Sequence, residues 1–152
     1  MDVLTSVKLT IYRHLAETTD APTVYEIAQQ LGLADGEVQQ AFDELHRKRL
    51  LVPEPGDPAR IRMAPPFSAV PTSFKVHVNG ERFNGKRYDA NCVWDSLGIL
   101  AAFHADGMVR ARDGHSREAM TLVIRDGEPK PTPCVAHFAV PAARWWDDII
   151  HT

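Results

Sequence analysis

The proline-rich run Ala64-Pro65-Pro66-Phe67-Ser68-Ala69-Val70-Pro71-Thr72-Ser73 constrains this chain more than any other feature. Proline lacks a backbone N–H and fixes its own φ, so such a stretch continues neither a helix nor a central strand. The run reads as a linker over 64–73, and the hydrophobic patterning on its two sides differs in period.

Ahead of it the period is helical. Val3, Leu4, Val7, Ile11, Tyr12 and Leu15 form one stripe, predicting a helix from about Asp2 to Glu17. Thr23-Val24-Tyr25-Glu26 has the form of a capping box, opening a helix through Ile27, Ala28 and Leu31 that Gly32 can stop. Asp35 is placed to cap a third helix carrying Val38, Ala41, Phe42 and Leu45. Leu50-Leu51-Val52 and Arg60-Ile61-Arg62-Met63 then flank a Pro- and Gly-containing turn, as two short strands would. Three helices and a hairpin over residues 1–63 are the order of a winged helix-turn-helix.

Such a unit commonly lays its third helix in the DNA major groove. The charges oppose this. Through residue 70 the chain has seven Lys and Arg against ten Asp and Glu, and the candidate reading helix starts with Asp35 and Glu37. Phosphate contacts supply most of the affinity for DNA, so the charges argue against DNA as a partner and for a packing or dimerisation role. The basic run His46-Arg47-Lys48-Arg49 suits a helix C-terminus for reasons of its own.

Beyond the linker, residues 74–152 alternate as strands and turns around one helix. Phe74, Val76 and Val78 form a two-residue repeat ending at Asn79-Gly80, and Asn84-Gly85 marks a second turn. Asp89 is placed to cap a helix from Asn91 to about His104. Met108 to Arg112, Ala119 to Ile124 and Val135 to Val140 read as strands. Pro141 fits the first turn of a closing helix with Trp145, Trp146, Ile149 and Ile150. The fold class expected is α+β.

The chain is 152 residues long with a formal net charge of -3 and only two cysteines. It has no apolar run of membrane-spanning length and no basic-then-apolar start, so a cytoplasmic address is expected. In a reducing compartment, cysteines far apart in sequence are free thiols, ligands or small buried hydrophobes before they are a disulfide. Cys92 lies in Asn91-Cys92-Val93-Trp94-Asp95, where helical spacing would put the thiol and the Asp95 carboxylate on one face. Cys134 lies in Pro133-Cys134-Val135-Ala136-His137-Phe138 and has to be delivered by the fold. Near a helix N-terminus Cys92 is expected to favour the thiolate.

Tyr88-Asp89-Ala90-Asn91-Cys92-Val93-Trp94-Asp95-Ser96-Leu97-Gly98, together with His137-Phe138-Ala139-Val140-Pro141-Ala142-Ala143-Arg144-Trp145-Trp146-Asp147-Asp148-Ile149, resembles the organomercurial (alkylmercury) lyase family. The likeness is strongest over the second domain and carries the Cys-x-x-Asp pattern onto Cys92 and Asp95. Well-known members have adjacent cysteines shortly before the His-Phe segment, where this chain has Cys134 after Pro133. The resemblance implies a small mixed α/β domain of the alkylmercury lyase type. It also implies cleavage of a carbon-mercury bond by Cys92, Asp95 and Cys134, releasing a hydrocarbon and leaving Hg(II) on thiolates. Mercury is a soft cation that prefers thiolate, and the departing carbon needs a proton, a task for Asp95. No cofactor is implied. Small thiols or a partner with paired cysteines would carry Hg(II) away. Trp145 and Trp146 could line a pocket for the organic group. Two other readings stand beside this one: a noncatalytic metal-binding or sensing protein using Cys92, Cys134 and His137, and a winged-helix regulator.

Overall fold

Residues 1–151 are described by a computed structural model. The helical stripes of the first half become α1 (Val3–Thr18), α2 (Val24–Leu31) and α3 (Asp35–Arg47). Asp2 caps α1, its carboxylate accepting from Thr5 N at 2.9 Å. Thr23 and Glu26 form the reciprocal capping box at α2, and Gly32 ends that helix at φ 66°, a left-handed conformation suited to glycine. The cap of α3 falls one residue earlier than expected. Asp35 is already helical, Ala34 is the cap, and Glu37 reaches back to accept from Ala34 N at 3.0 Å. The three helices bury Val7, Ile11, Leu15, Ile27, Val38, Phe42 and Leu45 against one another.

The strands are β1 (Val52–Glu54), β2 (Asp57–Ala64), β3 (Phe67–Ser68), β4 (Phe74–Val78), β5 (Arg87–Ala90), β6 (Gly107–Arg112), β7 (Ala119–Arg125) and β8 (Glu128–Pro129). They form one antiparallel sheet in the order β1-β2-β3-β5-β4-β6-β7-β8. The proline-rich segment therefore contributes to the sheet: Phe67 pairs with Ala64 on one side and Ala90 on the other. Two paired residues suffice there, because the prolines leave only a short stretch free to donate.

A fourth helix, α4 (Val93–Ala102), connects β5 to β6 and packs on β4, β5 and β6. Its approach is close. A β-carbon on Gly107 would fall 2.3 Å from the His77 carbonyl oxygen and 2.6 Å from Leu100 Cδ2, so only glycine admits the helix at this distance from the sheet. Tyr88, 1% exposed, ties the sheet to the helical half by donating from its hydroxyl to the carbonyl of Ala16 at 2.7 Å. Its ring meets Phe67 and Phe103 at centroid distances of 5.7 and 5.3 Å.

Three local expectations are corrected. Asp89 caps no helix: it lies within β5, where its carboxylate accepts from Thr72 N and pairs with Lys75. Val135 to Val140 forms no strand, since Pro129, Pro131 and Pro133 remove the donors that would extend the sheet beyond β8. The closing α-helix is a 3-10 helix over Ala142–Asp147, and its residues are not buried deeply enough to enforce a longer one.

Candidate active site

The turn from β5 into α4 is built on Cys92, which is itself the helix cap. Its backbone is extended (φ -154°, ψ -177°), and its sulfur accepts from Asp95 N at 3.5 Å, as a serine oxygen would at this position. The Cys92 carbonyl takes Ser96 N at 3.0 Å and the buried Ser96 hydroxyl at 2.9 Å. Thiol and carboxylate are thus fixed on one helical turn by backbone geometry.

Asp95 is held from a second direction. Asn91 donates its amide Nδ2 to Asp95 Oδ2 at 2.8 Å and to the Phe67 carbonyl at 3.3 Å. Burial raises the Asp95 carboxyl above the ordinary aspartate value, and the Asn91 hydrogen bond partly offsets this. Burial also raises the Cys92 thiol, assisted by the Asp95 charge and opposed by the backbone N–H groups of Asp95 and Trp94. The thiolate expected from the helix N-terminus is therefore reversed in direction: desolvation outweighs the backbone donors, and the thiol keeps its proton more tightly than a free cysteine.

Cys92 and Asp95 line a cavity of about 550 Å³. Arg49, Met63 and Pro65 come from the first half of the chain, Phe74 from β4, and His137, Phe138, Trp145 and Trp146 from the C-terminal segment. Phe138 and Trp145 stand 5.2 Å apart, Trp145 Nε1 donates to Val140 O at 2.8 Å, and Arg49 sits 6.0 Å from the Trp146 ring centroid. Trp94, which also lines the cavity, is 65% exposed. The wall is largely aromatic and aliphatic.

Cys134 does not line this cavity. It lies on an adjoining one of about 520 Å³, which shares Phe74, Val93 and His137 with the first. Of the three residues expected around a single pocket, Cys92 and Asp95 line one cavity and Cys134 lines the other. Among the described residues no cluster of three His, Cys, Asp or Glu side chains is arranged to hold a metal ion. Asn91 is a functional residue that the sequence alone does not single out. The signal was present, an amide four residues before an acid at a helix start, but many surface helices carry such pairs.

The alkylmercury lyase (MerB) family model matches residues 67–152, more than half of the chain and the whole of this turn. Among solved structures, the fold is similar to that titled the mercury-bound form of MerB2, with TM-score 0.66 and 22% identity. That match covers 88% of this chain and 61% of the other, so the chain spans less than two thirds of its neighbour's length. No curated protein matches the sequence.

Proposed function

The chain belongs to the alkylmercury lyase family, and from that premise we propose that it cleaves the carbon-mercury bond of small organomercurials, with Cys92 as nucleophile and Asp95 as proton carrier. The observation that carries this reading is the thiol and carboxylate of one helical turn, both opening on an aromatic-lined cavity.

In a substrate R–Hg–X, the Cys92 sulfur forms a bond to mercury as X departs with its electron pair, and the thiol proton passes to Asp95. The raised affinity of Asp95 for a proton makes it a competent acceptor at this stage. A second thiolate then adds to mercury and raises electron density on the attached carbon. The Hg–C bond breaks with its electron pair on carbon, which takes the proton from Asp95. R–H leaves, and Hg(II) remains on two sulfurs. Cys134 supplies the second sulfur if the irregular segment preceding His137 swings into the Cys92 cavity; a thiol arriving with the substrate supplies it otherwise. Free thiols, or an acceptor protein with paired cysteines, then remove the ion, and no dissolved cofactor takes part.

The organic group would lie against Phe138, Trp145 and Trp146, which favours aryl over methyl substrates through apolar burial. The three helices and hairpin of the first half act as a winged-helix-like packing module, since Arg49, Met63 and Pro65 complete the cavity wall. The acidic start of α3 argues for this role over DNA reading. Among the described residues no helix is long and apolar enough to cross a membrane. The test is incubation with phenylmercury and excess thiol, measuring benzene. Stoichiometric Hg(II) uptake with no benzene would replace catalysis with metal binding.

A further inference from the structure

A further role, which rests on the lyase reading, falls to Asn91. Its amide orientation is fixed by its neighbours. Phe67 O and Asp95 Oδ2 are both acceptors, so Nδ2 must face them. The cost falls on the other end of the amide: Asn91 Oδ1 is buried and meets no donor among the described residues. A side chain serving only to fill this corner would be cheaper without that orphaned oxygen, because buried polar atoms left unpaired are rare and unfavourable. What the arrangement secures is a donor aimed at one particular oxygen of Asp95.

We propose that Asn91 is a positioning residue that holds Asp95 Oδ2 as a permanent acceptor and so directs the mobile proton onto Oδ1. Oδ1 has no hydrogen-bond partner among the described residues and belongs to a side chain on the cavity wall. A carboxyl proton placed on Oδ2 would oppose the Nδ2–H donor, whereas on Oδ1 it is compatible with both amide contacts. The leaving carbon is thus met by the oxygen that carries the proton, without rotation of the acid. Neighbouring groups do not duplicate the role. Tyr12 faces Asp95 from α1, and the charge of Asp95 adds to burial in raising its phenol, but its hydroxyl is engaged with Pro65 O at 2.9 Å. Cys92 meets the backbone of Asp95, and Arg49, His137 and His151 line the wider cavity.

The test compares Asn91→Ala and Asn91→Leu with the unaltered protein by carbon-13 NMR of labelled aspartate carboxyls, with Asp95→Asn identifying the Asp95 signal. Both variants should titrate Asp95 at higher pH than the parent, because a donor that favours the ionised form is gone. In the phenylmercury assay kcat should fall about tenfold or more with little change in KM, as for loss of a group acting on the proton-transfer step. An Asp95 titration that does not move in folded variants, judged by circular dichroism, overturns the proposal. The NMR readout needs no turnover, so a parent protein that releases no benzene would sink the lyase reading while the Asn91–Asp95 coupling is still measured.

Discussion

The backbone N–H of Asp95 points at the sulfur of Cys92 from 3.5 Å, so the acid and the nucleophile are linked through the first turn of α4 before any substrate arrives. A change at either residue alters the helix cap as well as the chemistry. Function and stability must therefore be read separately in each variant.

Cys92→Ser keeps a good helix cap, since serine oxygen accepts the same N–H at least as well as sulfur. It should fold with stability equal to or above that of the parent and release benzene from phenylmercury at least a hundredfold more slowly, because oxygen is a poor ligand for mercury. Calorimetry and gas chromatography on one preparation check both halves.

Cys134→Ser distinguishes the two sources of the second sulfur. With Cys134 on the adjoining cavity, activity in excess small thiol should stay within about twofold of the parent, a difference well under 1 kcal/mol in the barrier. A loss of a hundredfold or more would show that the segment carrying Cys134 moves into the Cys92 cavity during the reaction.

Asp95→Asn should change how stability depends on pH. The Asp95 carboxyl is raised by burial, so the folded protein binds that proton more tightly than the unfolded chain does. The resulting stabilisation is complete below the unfolded value, about 3.9, and is lost as pH rises through the higher folded value. Asparagine cannot ionise and escapes the loss. The melting temperature of the variant relative to the parent should climb from pH 4 towards pH 7, and a flat difference would mean that burial does not govern the acid.

Gly107→Ala should destabilise the fold by about 1 to 3 kcal/mol, the usual range for overpacking. The added carbon meets the His77 carbonyl and Leu100, so α4 must lift from the sheet. Since α4 carries Cys92 and Asp95, activity should drop even below the unfolding transition. Denaturant titration and the benzene assay measure the two effects.

Tyr88→Phe removes the hydroxyl that satisfies Ala16 O near the C-terminus of α1 while keeping the ring in the aromatic core. A loss of about 1 to 2 kcal/mol is expected from one unmade buried hydrogen bond. An unchanged denaturation midpoint would mean that water reaches that carbonyl.

Where the signal was local, the sequence determined the outcome. Apolar stripes and caps placed α1, α2 and α3 within a residue or two, two-residue alternation placed β4, the strands read over Met108 to Arg112 and Ala119 to Ile124 match β6 and β7, and the Cys-x-x-Asp spacing put Cys92 and Asp95 on one turn. Such features depend on dihedral preferences and neighbours a few residues away, and they survive in any fold containing the segment. Tertiary structure decided the rest. Asp89 satisfies Thr72 and Lys75 instead of capping α4, the proline-rich run joins the sheet through Phe67, and the closing helix lacks the burial that would lengthen it. The protonation of Cys92 and the separation of Cys134 from it belong to the same class. One depends on how much water the assembled cavity excludes and the other on how distant segments pack, and neither quantity exists until the chain has closed on itself.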